Sequence, residues 1–436
     1  MMRSMFSGVS GLRAHQTWMD VIGNNISNVN TVGFKASRVT FQEIFSQTLR
    51  NAVSPSPGGG RGGINPQQVG LGMAIASVDV MQRRGSVQRT DNMTDLAIDG
   101  EGFFALSDGA SRFFTRAGNL RMDVGGYLTV PNGMKVMGWS GNDVAARLQA
   151  TVQPINLANQ FMAASETDRI VFQGNLDSRT AVGESVRHGV TLFDSLGGEH
   201  RVDFVFEKTA SNAWNATIVP ERGGAIDTSL PPDPPMTPID VGDLVFDAYG
   251  ALDVGASTFP GPVTLDLDDT MTGAGYIDIQ TFDADGNPIG NIIFDPERLT
   301  QYAVESSVRA AEVSGYPAGS LTSLSVDNAG RVIGVFSNGQ LNELALLAVA
   351  NFNNPSGLMK IGDNLFENTV NSGFLGLDAA GSAGRGMISP GTLEMSNVDL
   401  AKEFTDMIVA QRGFQANSRI ITTSDEMLQE LVNIKR

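Results

Sequence analysis

The chain has 436 residues, with 30 Lys and Arg against 47 Asp and Glu, a formal net charge of −17. That excess of acid is repelled by a phosphate backbone and by anionic lipid, which argues against nucleic-acid and membrane docking. Cys is absent, which excludes disulfide frameworks, thiol catalysis, Fe–S clusters and Cys-based zinc sites.

The length corresponds to about three domains, and 50 Gly with 18 Pro point to a turn-rich, β-rich body. No apolar run approaches the ~18 residues of a membrane span. The N-terminus lacks the apolar core of a cleaved secretion signal. A cytoplasmic protein is expected, or one that leaves the cell without such a signal.

Residues 4–30 read as a helix. Met5, Leu12, Met19 and Ile26 recur every seven residues, and Ile22 and Val29 add a second register. This is the spacing of a coiled-coil seam. Gly8, Gly11 and Gly23 oppose it, each costing about 1 kcal/mol relative to Ala. Asn24, Asn25, Asn28 and Asn30 make the helix end amide-rich, with a role expected in capping or cross-linking helix ends. Asn30-Thr31-Val32-Gly33 breaks the helix.

Residues 52–72 are Gly/Pro-rich without periodicity and read as a flexible, extended arm. They lack the G-K-[ST] ending of a phosphate loop. Residues 73–150 are strand-like. Candidate strands lie at 95–99, 102–106 and 112–116, and Asn132-Gly133 marks a hairpin. A second β-block spans about 154–300, with candidate strands at 170–172, 189–193, 201–206, 216–219, 276–282 and 291–294 and a Pro-rich loop at 230–238. Strands at 321–326, 332–336 and 341–350 read as completing the sheet begun at 73–150. Residues 370–390 again read as loose.

The last ~37 residues mirror the first helix. Leu400, Met407, Phe414, Ile421 and Leu428 recur every seven residues, and Phe404, Ile408 and Leu431 widen the stripe. Ser396 or Asn397 is the expected N-cap, with Asp399 in the first turn. Burying an apolar side chain yields about 1.5–3 kcal/mol, whereas ordering each residue costs about 1–2 kcal/mol of backbone entropy. A dozen seam residues do not offset some 60 ordered positions, so both ends are expected to order only on assembly.

Catalytic signals are weak. Asp95 with Asp99, Asp266 with Asp268 and Asp269, and Asp283 with Asp285 sit in turn contexts where Asp caps backbone. The segment beginning at Asp283 lacks the acidic residue that closes a calcium loop, because Phe294 stands twelfth. Asp194, Ser195 and His200 are near one another only in sequence. His15, His188 and His200 form no metal-binding pair. No enzyme, cofactor or metal is expected.

Three segments carry a resemblance. They are MMRSMFSGVSGLRAHQTWMDVIGNNISNVNTVGFK (1–35), DLAIDGEGFF (95–104) with FTRAGNLRMDVGGYLTVPNGMKVMGW (114–139), and SPGTLEMSNVDLAKEFTDMIVAQRGFQANSRIITTSDEMLQELVNIKR (389–436). Together they resemble the bacterial flagellar axial proteins, which comprise rod, hook and hook-associated subunits. VTLFDSLGGEHRVDFVF (190–206) resembles the outer domain of the hook branch, and distal-rod members are expected to be shorter and to lack this block.

The resemblance implies an α+β chain. Long N- and C-terminal helices would form an α-helical coiled-coil core element, with nested β-rich, sandwich- or barrel-like outer domains. The expected divisions are 1–32 with 396–436 (helical core), 33–72 with 368–395 (connecting arms), 73–153 with 301–367 (inner β) and 154–300 (outer β). It implies a flexible tubular polymer that transmits motor torque from rod to filament as a universal joint. The alternative is a distal-rod or other axial subunit.

Implied partners are identical subunits, the distal rod protein, a hook cap, hook–filament junction proteins and the flagellar type III export apparatus. The implied location is the extracellular hook, reached without a cleaved signal. Expected self-assembly contacts are Leu12, Met19, Ile22, Ile26, Phe404, Met407, Ile408, Phe414, Ile421 and Leu428.

Overall fold

The computed structural model describes residues 2–54, 62–140, 151–158, 160–167, 169–194, 196–220, 239–253, 255–257, 263–266, 276–279 and 292–434. The Pro-rich segment 230–238, the Gly-rich tip 55–61 and Asp268, Asp269, Asp283 and Asp285 lie outside them. The described chain is mostly β, with helix α1 (Met2–Ser27) at one end and helix α2 (Leu400–Ile434) at the other. It divides into two compact units. One comprises Met1–Asn159, Ser323–Gly334 and Leu341–Arg436, and the other Gln160–Thr322 and Val335–Gln340.

In the first unit, an antiparallel sheet runs in the order Leu341–Leu347, Lys135–Ser140, Phe103–Ser107, Arg112–Thr115, Leu365–Glu367, Met359–Gly362. Chain from beyond residue 340 thus joins strands from before residue 141. The reason is visible in Phe103, Phe114, Trp139, Leu346, Phe352 and Phe366, which share one buried core. Phe114 and Phe352 meet edge to face at 4.9 Å, a favoured aromatic geometry. Neither half of the sheet could cover these rings alone.

In the second unit, Ser185–Phe193, Glu199–Ala210, Ala213–Pro220 and Ile239–Val245 form a four-stranded antiparallel meander. Ile170–Asn175 pairs parallel with Ile292–Thr300 and antiparallel with Arg309–Val313. Phe172 of this second sheet packs against Phe204 and Phe206 of the first, and Trp214, Val241 and Leu299 belong to the same core. Two sheets sharing one core satisfy the alternating apolar pattern of their strands.

Two segments expected to be loose are paired. Ser37–Glu43 pairs with Met73–Val80, Ser46–Arg50 with Gln67–Gly70, and Val53 bridges Ile64. The supposed flexible arm 52–72 is therefore, in its described part, the returning side of a long hairpin. Its partner strands precede the Gly/Pro stretch, so composition within that window could not reveal them. Likewise Phe374–Asp378 pairs with Val349–Phe352, and Met387–Pro390 with Leu96–Asp99.

Candidate functional site

The two terminal helices lie against each other. The line of α1 facing α2 is not the apolar heptad but Gly8, Gly11 and Ala14, continued by Ile22 and Asn25, all buried. A Cβ on Gly11 would stand 2.8 Å from the Asn417 amide, and one on Gly8 would stand 3.3 Å from Ile421 Cγ1. On α2, a Cβ at Gly413 would stand 2.6 Å from the His15 ring. The glycines that weaken each helix in isolation let the two backbones approach. His15 in turn packs beside Trp18 and Phe41, with ring centroids 5.9 and 6.1 Å away, and burial lowers its pKa.

Both terminal segments are helices, and they meet through contacts outside the heptad count. That count omitted the close glycine-mediated seam and the packing of α1 on the hairpin. The seam also sets a prediction. Gly11→Ala gains about 1 kcal/mol of helix propensity against a clash with a rotatable amide, so thermal unfolding should shift little. Gly11→Leu should cost about 1–3 kcal/mol by forcing the helices apart.

On α2, Glu403, Ala410 and Ser424 are buried. Met407, Phe414, Ile421 and Leu428 are partly buried, and helical geometry puts them on that same side. On α1, Ile22 is buried, while Leu12, Met19 and Ile26 are partly buried. The heptads therefore mainly flank the α1–α2 seam. Phe404 and Ile408 instead point outward, 50% and 53% exposed. A second outward stripe, missed in the sequence, comprises Val409, Ile420, Met427 and Ile434. These four fall within about 40° of one another around the helix. The seven-residue spacing of 420, 427 and 434 was the available signal.

The amides play unequal parts. Asn25 Nδ2 donates to Ser37 O at 2.8 Å and to Glu403 Oε2 at 3.2 Å, and its Oδ1 accepts from Ser37 N at 2.9 Å. It ties the end of α1 to the hairpin and to α2. Asn28 Nδ2 donates to Asn24 O, and Asn28 Oδ1 accepts from Thr31. The Asn24 and Asn30 side chains are exposed.

The cap of α2 is Asp399, whose Oδ1 accepts from Ala401 N and Lys402 N at 3.0 and 3.3 Å. This corrects the expectation of Ser396 or Asn397. Asn397 is drawn off to bind Ala36 N, Met81 O and Arg83 O.

Burial raises the pKa of Glu403, opposed by the Asn25 hydrogen bond and reinforced by Asp406. A carboxyl with a raised folded-state pKa contributes stability below its unfolded value, about 4.3, and loses it as pH rises through the folded value. Glu403→Gln can still accept from Asn25 but cannot ionise. The variant should therefore gain on the native chain in thermal unfolding at pH 7 relative to pH 4.

Below the helices sits a buried ion cluster that the sequence did not announce. Lys35 Nζ lies 2.6 Å from Glu394 Oε1, with both side chains fully buried, and Arg116 Nη1 lies 3.5 Å from Glu394 Oε2. Lys35 Nζ also donates to Arg83 O, and Glu394 Oε1 accepts from Gly85 N. Burial lowers the pKa of Lys35, and the Glu394 charge opposes the shift. Gly33 enters the cluster at φ +68, where a Cβ would stand 2.6 Å from Ala117 N; only glycine suits both constraints.

Elsewhere the polar groups serve structure. Asp194 Oδ2 lies 3.0 Å from His200 Nε2, and Asp194 Oδ1 accepts from Leu196 N and Gly198 N, closing a turn. His188 Nε2 accepts from Ala310 N. Asp99 pairs with Arg84. Among the described residues there is no group of three or more His, Cys, Asp or Glu placed to hold a metal ion, and no helix long and apolar enough to cross a membrane.

Residues 5–35 match the family described as flagella basal body rod protein. Residues 97–166 match the flagellar hook protein FlgE/F/G D1 domain, 156–316 the flagellar basal body protein FlaE D2 domain, and 389–434 the flagellar basal body rod FlgEFG protein C-terminal region. The chain is similar to the flagellar hook protein FlgE of Treponema pallidum, 39% identical with 100% of each chain covered. It is also similar to that of Borreliella burgdorferi, 38% identical with 100% of each covered. The flagellar basal-body rod protein FlgG of Bacillus subtilis is 30% identical, again with 100% of each covered. Length therefore does not separate hook from rod members, contrary to the expectation from the middle block. Matched from end to end by hook proteins, and over residues 5–35, 97–316 and 389–434 by flagellar axial domains, the chain belongs to the flagellar hook protein FlgE family.

Proposed function

We propose that this chain is a structural subunit of the bacterial flagellar hook. It polymerises with identical subunits into a flexible tube that carries motor torque from rod to filament. The observation that carries the reading is the outward face of α2. Phe404, Ile408, Val409, Ile420, Met427 and Ile434 are 41–79% exposed in the single chain. Covering half of each such side chain is worth roughly 1 kcal/mol, a sum that suits many weak, repeated contacts between copies. In the tube, α1 and α2 form the coiled-coil core, residues 33–72 with 368–395 the connecting layer, and 73–153 with 301–367 and 154–300 the inner and outer β-domains. The role is mechanical, with no catalysis.

The partners that follow are the distal rod below, a hook cap during growth, junction proteins above, and the type III export apparatus that delivers the chain to the extracellular hook. The second reading, a distal-rod subunit, is favoured by the full-length match to a rod protein. Electron microscopy of basal bodies from cells deleted for the gene separates the two. Bodies ending at a complete rod without a hook support the hook reading, whereas a truncated rod makes the chain a rod subunit. Intact hooks and filaments would sink both.

A further inference from the structure

We propose that His188 is a proton-released clasp between the two sheets of the second unit: neutral, its Nε2 holds the Ala310 amide, and protonated, it lets that amide go. Ala310 N donates to His188 Nε2 at 3.1 Å. Among the described strands, Arg309–Val313 is the edge of its sheet, paired with Ile170–Asn175. Alternate amides of an edge strand point away from the partner strand, and the Ala310 amide meets the His188 ring of the other sheet. His188 stands opposite Phe204 in the register of Ser185–Phe193 with Glu199–Ala210, and Phe204 packs on Phe172. Val186, Ala310 and Val313 pack against that same core. The clasp thus sits at the rim where the two sheets close on their shared core. It belongs to the second unit alone and does not rest on the polymer reading.

An imidazole nitrogen accepts a hydrogen bond only while it carries no proton, so this contact fixes His188 as the neutral Nδ1–H tautomer. A proton on Nε2 turns the acceptor into a donor and sets two N–H groups against each other. The charged neighbours are placed elsewhere. Arg187, Arg201 and Asp203 line the opposite face of the sheet, where a Cβ on Gly189 would stand 3.1 Å from Arg201 and Asp203. On the His188 face of Glu199–Ala210, His200 is held by Asp194, and Lys208 by Ser178 O and Thr180 O. Arg309 and Glu312, on the strand of Ala310, are exposed, and Ile170–Asn175 carries no titratable side chain. Burial lowers the His188 pKa, and the Asp203 charge opposes the shift. Above about 6.5, the value of a free imidazole, folded and unfolded chains both hold a neutral ring and the clasp counts in full. As pH falls from there toward the lower folded value, the unfolded chain takes up its proton first and the contribution is lost. Acid therefore loosens Arg309–Val313 from Ser185–Phe193.

The test is nitrogen NMR of the full-length chain carrying isotope-labelled histidine, titrated from about pH 8 to about pH 5. The chain has three histidines, and His15→Gln and His200→Gln identify their own signals, so the His188 signal is found without altering that residue. It should show the Nδ1–H tautomer at neutral pH and titrate below about 6.5. Amide hydrogen exchange is the second measurement, with protection taken relative to the intrinsic rate at each pH. Protection of the Ala310 amide should fall about fivefold on acidification, the worth of one hydrogen bond. In His188→Gln, whose Oε1 can accept from Ala310 N but does not titrate, it should stay level. An Nε2–H tautomer, titration at or above the free value, level Ala310 protection in the native chain, or an equal fall in His188→Gln would each overturn the clasp.

Discussion

Val409→Asp with Met427→Asp is expected to abolish polymerisation while leaving the single chain folded. Both side chains are exposed in the isolated subunit, 51% and 49%, so introducing a carboxylate there costs the monomer little. In a tube each would be carried into an apolar contact. The change removes roughly 1 kcal/mol of apolar burial per position and adds the desolvation of an unpaired charge. A penalty of about 3 kcal/mol per subunit raises the critical concentration by more than 100-fold. Sedimentation of purified chains under polymerising conditions reads the effect directly. Ile421→Asp is the contrasting variant: it lies beside Gly8 at the α1–α2 seam and should lower the melting temperature of the monomer itself. If the double variant still pelleted as tubes, the outward stripe would not be the assembly face.

Gly118→Ala is expected to produce the largest loss of stability in the first unit from a single methyl group. A Cβ there would stand within van der Waals overlap of Leu96 O, at 1.8 Å. The two backbones are also joined by a hydrogen bond from Leu96 N to Gly118 O at 2.9 Å. Relief would have to come from backbone, in a place where Leu96 is buried and its strand is paired to Met387–Pro390. A cost of about 3 kcal/mol follows, or a fall of roughly 6–12 °C in the unfolding temperature of a unit this size. Gly23→Ala supplies the opposite sign. Nothing lies within 4 Å of its Cβ position on α1, so the helix gains about 1 kcal/mol. Calorimetry that found the two variants alike would refute the steric argument.

Local pattern was enough to place the helices and most strands. The helix read at 4–30 spans Met2–Ser27, and the strand signals at 102–106, 112–116 and 201–206 fall within or largely overlap observed strands. These succeed because periodicity and turn chemistry act over a few residues. The hairpin Ser37–Val80 failed for the complementary reason. Its sides pair across a Gly/Pro-rich stretch, and pairing energy depends on a partner that no short window contains. The function of the helix glycines failed likewise. Propensity reports their cost within one helix, whereas their use, admitting Asn417, Ile421 and His15, depends on the other helix.

The heptad residues are partly buried along the contact between the two helices. Leu12, Met19, Met407, Phe414, Ile421 and Leu428 flank the intramolecular contact, and Phe404, Ile408, Val409 and Met427 lie exposed. Periodicity says which residues share a side of a helix; it does not say what covers that side. The sequence by itself determined the α-helical ends, the β-rich body and the family, because those rest on short-range patterns and on long, specific motifs. Only the tertiary structure decided that Lys35, Arg116 and Glu394 meet, that Asn25 joins α1 to α2, and which side of α2 remains open. Coulombic and packing energies are functions of distance in space, and residues 359 positions apart acquire a distance only when the chain folds.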